Sequence, residues 1–176
     1  GDTTAEIERI YSEVLGKLEA KVAALPEGDT AVSETVTDVV PAIRQMLSRS
    51  GRGFKTLKVT KNALVDYFID GNFKMIAKPF TPDIIVYCKS SYIFIDAESD
   101  EEILKQAEEK IEAFVSEKGY TPKVLLIKGI GLIAVGDNSK NSQIITDVFT
   151  DAMKVAFFAQ SFGGEHPMEQ AWIDFI

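Results

Sequence analysis

The chain has 176 residues, 45% of them hydrophobic, and a formal net charge of −8. That length fits one domain with a sizeable core, and the acidity argues against nucleic acid or an anionic membrane surface as partner, because both select basic faces. The single cysteine, Cys88, excludes an internal disulfide and a cysteine metal cluster.

No apolar run approaches the ~20 residues needed to cross a bilayer, and no signal-peptide pattern opens the chain, so a cytoplasmic location is expected. The sequence begins Gly1-Asp2 without methionine and stops at Ile176 in the middle of a helical pattern. We therefore expect residues 1–176 to be a single domain that is the C-terminal piece of a longer protein.

Taken in order, Thr3 is placed to cap a first helix, with Glu6 as its reciprocal partner. Ile7, Ile10, Val14, Leu18 and Val22, with Tyr11, Leu15 and Leu25 beside them, form one apolar stripe, which Pro26 and Gly28 end. Such a helix lies on a sheet or pairs with a partner helix. A polar turn spans residues 27–33. A second helix is predicted over 38–48, starting no earlier because Pro41 fits only a first turn. Its core face is Val39, Val40, Ile43, Met46 and Leu47. Ser50-Gly-Arg-Gly53 breaks it. Residues 54–60 alternate as a strand, with Leu57 and Val59 inward and Lys55 and Lys58 outward. Thr60 is placed to cap a helix over 62–70, burying Leu64, Val65, Phe68 and Ile69, and Gly71 stops it.

Thr81-Pro82-Asp83 has the chemistry of a helix start: a capping hydroxyl, a proline in the first turn and an acid at the positive end. One or two helical turns should follow. Residues 92–96 form a short strand. Ser99-Asp-Glu-Glu102 is a capping box, and the helix it opens runs to Gly119, a natural left-handed stop. Residues 124–127 and 132–135 are strands separated only by Lys128-Gly-Ile-Gly131, so an antiparallel pair around a tight turn is the simplest reading. Asn138 or Ser139 caps the longest helix, 140–162, whose second half is apolar nearly all round and should be buried centrally. Gly163-Gly164 ends it, and a short terminal helix is predicted over 167–176. Helices must cover both faces of one sheet, so the fold class is α/β: a three-layer α/β/α sandwich on a mixed, largely antiparallel sheet.

Few residues carry obvious chemistry. Gly129-Ile-Gly131 follows a strand, as a phosphate cradle would, but a dinucleotide fingerprint needs a third glycine at a fixed spacing and a helix start. Gly136 comes too late, so a tight turn is the simpler reading. His166 is the sole histidine. It cannot build a metal site alone, and no nucleophile elbow accompanies it, which leaves a capping or surface imidazole. Asp96, Glu98 and Asp100 read as a helix start rather than a cation loop. Lys78, Lys89 and Lys128 flank the strands and would converge on an anion only if the fold gathers them. Cys88 sits in an apolar run and reads as a buried, inert thiol.

The segment KVLLIKGIGLIAVGDNSKNSQIITDVFTDAMKVAFFAQSFGG, residues 123–164, resembles the closing strand-turn-strand-helix of the class II aldolase and adducin-like family. It is more similar to that family's long bacterial branch, in which a rhamnulose-phosphate aldolase is fused to a dehydrogenase. Phe80-Thr-Pro-Asp83, the strand at 92–96, and the order helix, Ser48-Arg-Ser-Gly-Arg52, strand, helix agree with it over roughly residues 36–175. The resemblance implies a divalent metal, usually zinc, held by a His-x-His pair and a later histidine, a glutamate base, and cleavage of a ketose phosphate. The later histidine would stand at Ile130, and a further one, frequent in the long branch, at Ile84. Neither isoleucine can ligate zinc, and the chain has no His-x-His. No cofactor is therefore expected in this chain itself, with zinc or another divalent metal possible in the parent protein.

Three expectations follow. One is the aldolase-like region of a class II sugar-phosphate aldolase, completing a sheet, a pocket or an oligomer interface. Another is a non-catalytic, adducin-like binding or oligomerisation module. The third is a metal-free enzyme using Asp83, Lys128 and His166. The partners they imply are a phosphorylated sugar or other small molecule, a second copy of the chain, or an upstream domain of the same protein.

Overall fold

The computed structural model describes residues 3–51 and 53–176. Gly1, Asp2 and Arg52, the last of these in the expected break at 50–53, lie outside the described residues. Four strands form one mixed sheet in the order β1-β4-β3-β2. These are β1 (Thr56–Thr60), β2 (Ile93–Ile95), β3 (Val124–Ile127) and β4 (Gly131–Gly136). β4 runs antiparallel to both β1 and β3, and β2 runs parallel to β3. The βαβ unit follows from chain order, because a helix separates β2 from β3 and parallel neighbours require such a crossover.

Side-chain alternation divides the core into two layers. Leu125, Ile127, Ile133 and Val135 point to one face and pack with Val39, Ile43 and Leu47 of α2 (Val36–Ser50) and Ile103, Ala107 and Ile111 of α5 (Asp100–Lys118). Val124, Leu126, Leu132 and Ala134 point to the other face. There they meet α3 (Ala63–Tyr67), α4 (Pro82–Cys88) and α6 (Ser139–Ala159). The predicted three-layer sandwich is the observed one.

Most helix starts are those the capping chemistry predicts. Thr3, Thr81, Ser99 and Asn138 each accept a hydrogen bond from the backbone N–H three residues on. One cap differs: Asn62, not Thr60, caps α3, its Oδ1 accepting from the Val65 N–H at 2.9 Å. Thr60 stays in the β1–β4 ladder opposite Leu132, and α3 starts beyond it. The helix predicted over 62–70 is split: α3 ends at Tyr67, a wide turn over Phe68–Asn72 follows with Gly71 at φ 136°, and a 3-10 turn covers Phe73–Ile76.

α2 begins at Val36, two residues before the expected start, and Pro41 lies in its second turn. The entry is closed by short bonds from the Thr37 N–H to the Glu34 carbonyl and from the Asp38 N–H to the Thr35 carbonyl. The missing proline N–H therefore costs a single bond near the helix start. Phe54, expected in the first strand, is 86% exposed and precedes it. The second half of α6 buries Ala152, Met153 and Ala156 but leaves Val155 exposed, so α6 lies on one sheet face rather than at the centre. α1 (Thr4–Glu19) ends well before Pro26 and buries none of its residues. A short helix, α7 (Gln170–Phe175), closes the described chain, with Ile173 as its buried residue.

Candidate functional site

The carboxyl ends of parallel strands open a crevice, because the chain leaves adjacent strands in the same direction and the connecting helices diverge. Here that place is the end of β2 and β3. The Lys128 N–H donates to the Ile95 carbonyl at 3.0 Å, which sets Lys128 beside Asp96. Its Nζ then lies 3.3 Å from Asp96 Oδ1 and 3.4 Å from Glu98 Oε1.

Lys128 stands between two cavities. One, of about 540 Å³, is lined by Ile69, Asp70, Gly71, Phe73, Lys74, Phe94 and Asp96 besides Lys128. The other, of about 220 Å³, includes Ser33, Thr35, Glu98 and Ile130. The larger has the volume of a small-molecule site. Its apolar wall is the stacked pair Phe73 and Phe94, with ring centroids 4.6 Å apart and 12° between planes. Gly71, at φ 136°, turns the chain there so that Phe73 and Lys74 return over the end of β2.

Two carboxylates set the electrostatics of Lys128. The hydrogen bond to Asp96, the charge of that carboxylate, and the same interactions with Glu98 hold the ammonium pKa above the ordinary lysine range. A lysine so placed stays charged at neutral pH. A proton acceptor or an imine-forming amine needs the opposite, a depressed pKa. Lys74 is exposed at the same cavity. With Lys128 it faces Asp70 and Asp96 across the cavity, while Glu98 is the second carboxylate on Lys128.

The other sequence candidates lie elsewhere. Lys89 is held over the Tyr120 ring, 5.6 Å from its centroid, at the end of the sheet where β3 begins. Lys128 follows the last residue of β3. The two lysines are at opposite ends of one strand and do not converge, and Lys78 is exposed and lines neither Lys128 cavity. Asp83 is exposed in the first turn of α4 and His166 is exposed beyond α6, and neither lines a Lys128 cavity.

Gly129 and Gly131 make the β3–β4 turn, at φ 77° and 123°. A Cβ on Gly131 would run into the Thr60 carbonyl oxygen of β1, whereas one on Gly129 would meet nothing within 4 Å. Cys88 is buried, and burial pushes its thiol up to about 12, which makes it inert. Burial also raises the Tyr92 phenol, whose hydroxyl donates to the Lys89 carbonyl at 3.0 Å.

Sequence reasoning missed Asp70, Phe73, Lys74, Phe94 and Asp96 as site residues. The available signal was the strand-helix-strand order over residues 93–127, which makes β2 and β3 parallel neighbours and brings Asp96 beside Lys128.

No family model matches this chain, and no curated protein matches it. A solved structure does. YgbL from Escherichia coli, described as a candidate aldolase/epimerase/decarboxylase, superposes on 78% of this chain with a TM-score of 0.53 and 13% sequence identity. The fold is aldolase-like. At that identity the likeness is one of fold, and this chain spans 64% of the YgbL chain.

In the aldolase-like fold the resemblance noted above expects a metal histidine just before Gly131 and another after Asp83. Ile130 is fully buried among Leu125, Ile127 and Ile133, and Ile84 is 6% exposed against α6. Among the described residues no three His, Cys, Asp or Glu side chains gather as a metal site. The residues of this chain do not fit the zinc of the family at those positions. Among the described residues, no helix is long and apolar enough to cross a membrane.

Proposed function

We propose that this chain is the aldolase-like region of a metal-dependent sugar-phosphate aldolase, in which it supplies one wall of the substrate cleft while residues outside these 176 hold the metal. The observation that carries the reading is the Lys128 cleft: an ammonium paired with Asp96 and Glu98 at the carboxyl ends of two parallel strands, between two cavities. A phosphorylated sugar presents a dianion and a hydroxylated carbon chain. Lys128 and Lys74 would neutralise the first, Asp70 and Asp96 would accept hydrogen bonds from the hydroxyls of the second, and the Phe73–Phe94 stack would cover its C–H face. These interactions bind and orient.

Titration of the isolated chain with dihydroxyacetone phosphate tests this. The expected result is millimolar binding, weakened at least tenfold in Lys128→Met, with no cleavage of ketose phosphates and no tight zinc binding. Turnover by the isolated chain would overturn the division of labour. An absence of binding would overturn the cleft assignment.

A second reading, a non-catalytic adducin-like assembly module, is favoured by one observation: α1 presents an apolar face that no part of the described chain covers.

A further inference from the structure

α1 is a 16-residue helix with no buried residue. Its apolar side chains Ile7, Ile10, Tyr11, Val14, Leu15 and Leu18 are between 42% and 66% exposed. They fall on one stripe, with spacing i, i+3, i+4, i+7, i+8, i+11. The opposite face is tied by Glu13 to Arg9 at 3.5 Å and to Lys17 at 2.8 Å. A lone helix of this length is marginal in water, and most helical stability comes from packing an apolar face. The stripe exposes roughly 600 Å², the upper end of what a monomer leaves open.

We infer that α1 pairs with α1 of a second copy of this chain, antiparallel, about a two-fold axis. The stripe is its own complement. Reversing the helix about its midpoint maps Ile7 onto Leu18, Ile10 onto Leu15 and Tyr11 onto Val14. Two such helices face to face pack Ile7 on the partner's Leu18, Ile10 on the partner's Val14 and Tyr11 on the partner's Leu15, each contact occurring twice as an isologous interface requires.

The antiparallel arrangement opposes the helix dipoles. It also sends the two domains, which follow the C-terminal ends of the helices, to opposite ends of the pair. On one flank Glu6 meets the partner's Lys17. On the other, Glu8 meets the partner's Glu19, so charge is balanced and the apolar stripe carries the association. Two stripes bury roughly 1,200 Å² together, the lower limit of a specific interface, so a micromolar, concentration-dependent dimer is expected. An anionic membrane is a poor alternative occupant: from Thr4 to Glu19 the helix carries Glu6, Glu8, Glu13 and Glu19 against Arg9 and Lys17.

Sedimentation equilibrium of the full chain tests the inference. The wild type should fit a monomer–dimer equilibrium. Val14→Glu should be monomeric at every concentration reached, with native circular dichroism and cooperative unfolding because α1 adds nothing to the core. Glu19→Lys should tighten the dimer several-fold, since it turns the Glu8 repulsion into attraction. In a parallel pair the same change would set the introduced ammonium against the partner's Lys17 and loosen the dimer. A monomeric wild type, a dimer that survives Val14→Glu, or a Glu19→Lys dimer that loosens would each overturn the proposal.

Discussion

Replacing Gly131 with alanine asks whether the β3–β4 turn is shaped for a ligand or for the sheet. Gly131 sits at φ 123°, outside the region that L-residues adopt, and its missing Cβ would press on the Thr60 carbonyl oxygen and lie 3.2 Å from the Thr60 carbonyl carbon. The backbone strain alone costs about 1–3 kcal/mol. Relieving the clash requires parting β1 from β4 at the Thr60–Leu132 pair, which weakens that end of the ladder. A total near ~3 kcal/mol is expected, about 6–12 °C in Tm for a chain of this size.

Gly129→Ala is the matched control. It too has positive φ, 77°, but its Cβ would project into open space, so the cost is about 1 kcal/mol, the left-handed penalty alone. Guanidinium unfolding followed by far-UV circular dichroism compares the two. Equal losses, or a Gly131→Ala variant as stable as wild type, would refute the close approach to Thr60 as the reason for the glycine.

Asp137 accepts a hydrogen bond from Lys55 at 2.6 Å, with Lys123 at 3.8 Å, and these ammonium groups hold its carboxyl below the usual range. A depressed carboxylate stabilises the fold above its unfolded value near ~4 and loses that contribution as pH falls through the lower folded value. The group is 56% exposed, so Asp137→Asn should cost under ~1 kcal/mol at pH 7, and its unfolding curve should converge with wild type in acid. The Cys88 thiol should resist Ellman's reagent at pH 8 until guanidinium unfolds the chain, whereas rapid native labelling would contradict its burial. His166 is exposed without a described partner, so His166→Ala should change stability by less than ~0.5 kcal/mol, and ligand binding at the Lys128 cleft should be unaltered.

The layers were legible because the order of elements and their apolar content report burial. The uniformly apolar run Val124 to Ile127 is what a strand covered on both faces requires, and the chemistry of Thr3, Thr81, Ser99 and Asn138 marks where helices begin. The site was less legible because it is assembled from residues far apart in sequence whose local roles are ordinary. Asp96 and Glu98 read as a helix start until the parallel pairing of β2 with β3 brings Lys128 beside them. Phe73 and Lys74 were lost beyond a helix drawn too long, since the wide turn at Gly71 leaves no periodic signature. The three lysines read alike in sequence, yet a parallel crossover separates Lys89 from Lys128 by the length of a strand.

The sheet has its shortest connection at its centre. β3 and β4 are joined through Lys128, Gly129 and Ile130 alone, while β1 and β2 arrive at the two edges from upstream. Closing that hairpin costs little chain entropy, whereas either edge must close a long loop first. The hairpin with α6 is therefore expected to form early in folding. Destabilising changes at Leu126 or Ile133 should slow folding, and those at Leu57 should chiefly speed unfolding. The same three-residue turn that carries the cleft's cation would then set the order in which the molecule assembles.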